Sequence, residues 1–141
     1  MPPSPETPPQ TTILVVDDNE ANRSLGQHTL EDEGYREFVL GLQHKGFEIT
    51  WHGATMESSL RARTLEALEM YRNVFSEYPR IHVNHADNRE NAYWGADRLD
   101  SRILRRLFGR FAARPEGYFS GQDADSPYGW PDALQKHFVY C

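Results

Sequence analysis

The chain of 141 residues contains little cysteine and no long apolar run. Its only cysteine, Cys141, excludes an internal disulfide and a zinc cage built from cysteine thiolates. No apolar stretch approaches the roughly 20 residues that a bilayer-spanning helix needs, and the first residues, MPPSPETPPQ, lack the apolar core of a secretory signal. We therefore expect a soluble protein of the cytoplasm.

Common catalytic signatures and an excess of positive charge are missing as well. Without a glycine-rich phosphate loop, a nucleophile elbow or a cysteine nucleophile, the sequence does not support nucleotide hydrolysis or acyl-enzyme chemistry. With 15 basic against 21 acidic residues the net charge is -6, which predicts no nucleic-acid partner and no membrane partner unless a basic patch acts locally. One arginine-rich segment stands out, which we interpret as a solvated helix face with ion pairs to Asp97 and Asp100; its members are Arg98, Arg102, Arg105, Arg106 and Arg110.

Proline separates a short head from one domain. Residues 1-10 hold five of the nine prolines and no aliphatic residue, which predicts a disordered head. The remaining residues, 11-141, suffice for a single domain with a modest core.

Strand and helix signals alternate along this domain. Strands are predicted in TTILVVDD from Thr11, in FEITW over 47-51, and over 81-84. A first helix is predicted by the apolar stripe of Tyr35, Phe38, Val39 and Leu42, and Gly46 ends it. A second helix is predicted in the segment from Ser58 or Ser59, one of which would cap it, to Pro79. Two more are predicted over 98-111 and in PDALQKHF. This alternation predicts an α/β fold, with a parallel sheet of three or four strands flanked by helices.

The candidate site residues follow the predicted strands, because ligands of parallel sheets bind outside the carboxyl ends of the strands. Asp17 and Asp18 follow the first strand, where they could hold a cation or divide into a metal ligand and a general base; alternatively, one caps the next segment and the other is solvated. His52 follows the second strand and His85 the third. Each is either a ligand of zinc or another divalent ion or a hydrogen-bonded histidine at the rim.

The segment TILVVDDNEANRSLGQHTLEDEGY resembles the opening of a response-regulator receiver domain. The resemblance covers about 25 residues and implies Asp17 and Asp18 as magnesium ligands. No aspartate occurs between Asp32 and Asp87, where a receiver carries its phosphoacceptor. A receiver-like phosphorelay or magnesium-binding signalling module is therefore the alternative function.

A second resemblance covers roughly 105 residues, from EDEGYREFVLGLQHKGFEITWHGATMESS through YPRIHVNHADNRENAYWG to DSPYGWPDALQKHFVY. Over these segments the sequence resembles a divergent branch of the polysaccharide deacetylase family of carbohydrate esterases. In that family a divalent metal held by one aspartate and two histidines activates a water that attacks the N-acetyl group of a sugar, and a neighbouring aspartate acts as the base.

This resemblance implies a partial (β/α) barrel, a zinc, cobalt or nickel ion, and an N-acetylated carbohydrate as substrate. It implies Asp17 as the catalytic base and Asp18 and His52 as metal ligands, with His85 as a hypothetical third ligand because Met56 stands where the family has its second histidine. The family barrel needs about 200 residues, so the barrel here is expected to be incomplete. Uncovered strand edges then predict self-association, and a carbohydrate-binding remnant without activity is the remaining alternative.

Overall fold

The computed structural model describes residues 13-14, 33-55, 57-85, 87-111 and 114-141. Its α-helices within these ranges are α1 (Glu33–His44), α2 (Arg61–Phe75), α3 (Arg102–Phe111) and α4 (Pro131–His137). A 3-10 helix (Gly95–Arg98) precedes α3. Two strands, β1 (Ile13–Leu14) and β2 (Glu48–Ile49), pair in parallel. The predicted head over 1-10 lies outside the described residues.

Helix α1 forms where the apolar spacing predicts it. Val39 is buried in the core, whereas Phe38 of the same predicted stripe is 61% exposed. The helix ends as predicted before Gly46, whose φ of +89° lies in the left-handed region that glycine adopts without steric cost.

Helix α2 supplies the largest apolar contribution to the core, through Leu68, Tyr71 and Phe75. The prediction of a serine cap is wrong, because Leu60 precedes the first helical residue and no side chain caps the helix. The two serines are used elsewhere: the Ser58 hydroxyl accepts a hydrogen bond from the backbone N–H of Arg89 at 3.0 Å, and Ser59 shares one with Thr55 at 2.6 Å.

Aromatic rings fill the middle of the core. Trp130 is fully buried and packs edge-on against Trp51, with ring centroids 5.5 Å apart. Phe138 contacts both tryptophans. Helix α4 begins at Pro131, the predicted first helical position, and buries Ala133 and Leu134 in the same core.

The predicted parallel sheet of three or four strands, in a partial (β/α) barrel, is wrong. Helices of 7 to 15 residues dominate the described part of the chain, whereas β1 and β2 have two residues each. Beyond them the described extended segments meet only at isolated bridges, Trp51 with His82 and Ile81 with Tyr140. Helix α3 also begins at Arg102 rather than at the predicted Arg98.

The physical reason lies in the polar side chains that follow the bridges. The amide of Asn84 binds both the N–H and the C=O of Ala92, and the amide of Asn91 binds both the N–H and the C=O of His85. Side-chain amides thus occupy backbone groups that a continued ladder would use. The chain turns into a hydrogen-bonded loop instead of extending a strand.

Candidate functional site

The structure brings together two of the predicted site residues, His52 and His85. Their imidazole rings lie edge to face with centroids 4.8 Å apart. His52 and His85 both follow the bridge between Trp51 and His82 along the chain. Because the two bridged segments run parallel, both histidines lie at the same end of the bridge. The pairing of a strand-end histidine with the next one could be expected from the sequence; the distance between them could not.

The residue beside the histidine pair has a backbone conformation that favours glycine. Gly53 follows His52 with a φ of +115°, a conformation that residues with a Cβ rarely adopt. A Cβ placed on Gly53 would also stand 3.8 Å from the Cβ of His85, in ordinary contact. Backbone conformation rather than space therefore requires glycine beside the histidine pair.

Two asparagine side chains fix the loop that carries His85. Asn91 accepts a hydrogen bond from the His85 N–H at 3.1 Å and donates one to the His85 C=O at 3.1 Å. Asn84 makes the same pair of bonds with Ala92, each at 3.0 Å. The two amides hold opposite ends of the loop together, so the backbone of His85 has little freedom to move.

A second set of hydrogen bonds joins this loop to the one that follows His52. The side-chain amide of Asn88 donates to the backbone carbonyls of Thr55 and Glu57, both at 3.1 Å. Glu90, which is 2% exposed, accepts from the Ser59 N–H at 2.9 Å and from Asn88 at 3.0 Å. The two loops therefore form one hydrogen-bonded unit beneath the histidine pair.

Glu90 is a buried acid close to this pair. Burial raises its pKa, and this rise is opposed by the Ser59 N–H, its own N–H, Asn88 and the nearby charge of His85. Sequence reasoning missed Glu90 and Asn91, which lie in the polar stretch HADNREN without any spacing that distinguishes them from solvated loop residues.

His82 lies beneath the site and has a different character. Asn84 Oδ1 already accepts from Ala92, which fixes the orientation of the amide, so His82 Nε2 is the atom that donates to Oδ1 at 3.0 Å. Burial of the ring, which is 4% exposed, lowers the pKa of His82 to about 4. His82 is therefore a neutral core residue that packs against Trp51 and Trp130.

The histidine pair fits a divalent transition metal as part of its ligand set. Two imidazoles bound to one zinc ion place their ring centroids about 5 Å apart, because each Zn–N bond is about 2.0–2.1 Å long. The observed separation of 4.8 Å is close to that value, and His85 Nδ1 is buried with no hydrogen-bond partner among the described residues. The described part of the chain contains no group of three ligand-type side chains, so further ligands would have to come from outside it.

Asp17 and Asp18 lie outside the described residues, as does Met56. Along the sequence the two acids stand three and four positions after β1, which runs parallel to β2. Asp17 as base and Asp18 as ligand therefore stay predictions.

Comparison of the chain with models of protein families, with curated proteins and with solved structures finds no match. The resemblance to polysaccharide deacetylases thus remains a prediction from the quoted segments. Within the described residues, no helix is both long and apolar enough to cross a membrane.

Proposed function

We propose that His52 and His85 are two of the ligands of a divalent transition metal, zinc, cobalt or nickel, and that the chain is a metal-dependent hydrolase of deacetylase type. The observation that carries this proposal is the meeting of the two imidazoles, whose ring centroids are 4.8 Å apart. Neutral imidazole nitrogen is a preferred ligand of these metals. The proposal concerns the site, since the barrel that deacetylases use is not the architecture of the described residues.

The surrounding residues support a ligand role rather than an incidental ring contact. Asn91 holds the backbone of His85 through two hydrogen bonds, which keeps the ring at a fixed place. Buried Glu90 joins the loop of His85 to the loop that follows His52, by accepting hydrogen bonds from the Ser59 N–H and from Asn88. In metal sites the residues around the ligands orient them through hydrogen bonds in this way.

The chemistry follows from the class of site. A bound metal of this kind would polarise an acyl oxygen and lower the pKa of a water molecule. In the proposal Asp17 takes the proton of the attacking water, Asp18 completes the ligand set, and the histidines stay neutral so that their lone pairs remain available. The substrate class is an N-acetylated carbohydrate, as the family resemblance implies, and the free thiol of Cys141 suits a cytoplasmic location.

Metal binding by the full chain tests the proposal. After chelator treatment, calorimetry with zinc, cobalt and nickel should give one site per chain. His52→Ala and His85→Ala should each weaken binding at least tenfold. Asn91→Ala, which retains both histidines but removes the two hydrogen bonds that hold the backbone of His85, should weaken it by about 10–100-fold. The matched control is His44→Ala, an exposed histidine at the end of α1, which should bind as the natural sequence does.

Two results would refute parts of this assignment. Metal binding that is absent, or that is equal in the natural sequence, His52→Ala and His85→Ala, would refute the metal site. Stoichiometric metal binding without release of acetate from N-acetylated oligosaccharides would refute the hydrolase and leave a binding remnant. No described contact favours the receiver-like alternative, which depends on Asp17 and Asp18 alone.

A further inference from the structure

Helix α3 presents a continuous apolar face, most of which is exposed in the described structure. None of its ten residues is buried, and the two ends of the face, Ile103 and Phe111, are 78% and 81% exposed. At 100° per residue the apolar residues fall within one arc of the helix surface. This apolar face of α3 consists of Ile103, Leu104, Leu107, Phe108 and Phe111.

The opposite face of α3 is strongly basic. Arginines occupy four of the ten positions, and the helix contains no acidic residue. These residues, Arg102, Arg105, Arg106 and Arg110, form no ion pair among the described side chains. The expected pair with Asp100 is thus not formed, and the Asp97 side chain lies outside the described ones. Because the whole chain carries a net charge of -6, α3 is a local concentration of positive charge on an acidic protein.

Exposed aromatic residues extend this surface. Trp94 stands next to the 3-10 helix that leads into α3 and is 41% exposed, and Tyr93 beside it is half exposed. The Arg98 guanidinium lies over the Trp94 ring at 5.9 Å and over the Phe108 ring at 5.3 Å. Tryptophan and tyrosine are the residues that favour the boundary between lipid headgroups and acyl chains.

We propose that α3 is a lipid-binding helix that lies in the plane of an anionic bilayer surface. A short helix with large apolar side chains on one face and arginines on the other has the composition of such interfacial helices. With a rise of about 1.5 Å per residue, ten residues extend about 15 Å, which is half the hydrocarbon thickness and suits a helix that lies on the surface.

Charge favours lipid over a second copy of the chain. At 100° per residue, Arg110 and Arg105 border the apolar arc on its two sides, so two α3 helices packed through their apolar faces would bring four arginines to the rims of the seam without an acidic residue from either helix. Anionic headgroups would instead surround the apolar face with compensating charge on both sides. The sequence prediction of no membrane partner considered the net charge; the one-sided placement of the arginines makes the local charge the relevant quantity.

Vesicle binding by the full chain tests this proposal. Trp51 and Trp130 are buried, so a change in tryptophan fluorescence on adding vesicles reports on Trp94. We expect a blue shift and co-flotation with vesicles of phosphatidylcholine and phosphatidylglycerol, and no binding to phosphatidylcholine alone. Binding should weaken by more than tenfold between about 0.05 M and 0.5 M salt, because the headgroup attraction is screened.

Variants distinguish binding through the apolar face of α3 from nonspecific adsorption to vesicles. The double change Leu107→Glu with Phe111→Glu should abolish binding, and Arg106→Gln with Arg110→Gln should weaken it several-fold. Phe38→Glu is the matched control, since Phe38 is 61% exposed on α1 and should leave binding unchanged. Circular dichroism should be alike for all variants.

Three outcomes would overturn the proposal. The first is failure to bind anionic vesicles. The second is a dimer in light scattering that Leu107→Glu dissociates while vesicle binding is absent, which would identify a second copy as the occupant. The third is vesicle binding that persists in the double glutamate variant but is lost in the double glutamine variant, together with equal affinity for vesicles and for a duplex oligonucleotide. That result would identify a purely electrostatic, polyanion-binding surface.

Discussion

Protonation of His82 should make the protein lose stability between about pH 7 and pH 5. The ring is 4% exposed, and burial lowers its pKa from 6.5 to about 4 in the folded protein. As the pH falls below about 6.5, His82 binds a proton in the unfolded chain, whereas in the folded chain it binds one only near about pH 4. The free energy of unfolding therefore decreases with falling pH.

The size of the effect follows from the two pKa values. A pKa difference of about 2.5 corresponds to about 3 kcal/mol when both titrations are complete. At about pH 5 roughly 2 kcal/mol of that is lost relative to pH 7. Carboxylates with a lowered pKa, among them Asp132 at about 2 through its hydrogen bond to Arg61, stay ionised in this window and do not add to it.

Urea denaturation of the natural chain and of His82→Phe measures this contribution directly. Phenylalanine keeps a ring against Trp51 and Trp130 but cannot titrate, and the lost hydrogen bond to Asn84 costs about 1 kcal/mol at every pH. His137 and Glu90 also titrate differently in the folded protein, but they are present in both chains and cancel in the comparison.

The expected result is a reversal: the natural chain, about 1 kcal/mol more stable than His82→Phe at about pH 7, becomes about 1 kcal/mol less stable at about pH 5. His44→Gln, at an exposed position of α1, should follow the natural chain at every pH. Equal pH dependence in the natural chain and His82→Phe would refute the assignment of His82 as a buried neutral histidine.

Two further predictions concern stability. Tyr71→Phe removes the hydroxyl that donates to the buried carbonyl of Ile49 at 2.6 Å, and should lower the free energy of unfolding by about 1–3 kcal/mol; an unchanged urea midpoint would contradict this. Gly121→Ala would place a Cβ 2.0 Å from the backbone oxygen of Glu90 and should lower the free energy of unfolding by at least about 1–3 kcal/mol. Gly41→Ala has open space inside α1 and should raise the free energy of unfolding by up to about 1 kcal/mol. Midpoints of thermal unfolding that shift in the same direction for both variants would contradict the packing argument.

Sequence patterns were informative wherever a local rule decides the conformation. The spacing of apolar residues located α1, the segment that ends at Pro79 contained α2, Gly46 marked the end of α1, and Pro131 marked the start of α4. These signals depend on residues within one or two helical turns, which is why they survive without tertiary information. They failed at the start of α2, where Ser58 and Ser59 bind residues of another loop instead of capping the helix.

Strand patterns were less informative because pairing is not local. The apolar runs around Ile13 and Ile49 do pair in parallel, but over two residues each. Asn84 and Asn91, seven positions apart, bind the backbone groups of Ala92 and His85. No periodicity in the sequence predicts that these side-chain amides bind backbone groups in place of a neighbouring strand. Their hydrogen bonds end the strand pairing and direct the chain into the loop of the candidate site.

The sequence by itself determined the helices, their amphipathic character and the candidate status of His52 and His85, because those depend on residue type and short spacing. Tertiary structure decided which of these features meet and which remain uncovered. It placed His52 beside His85, buried His82 and Glu90, and left the apolar face of α3 exposed. Distances and burial depend on the packing of segments that are far apart along the chain, so a pattern within one segment cannot contain them.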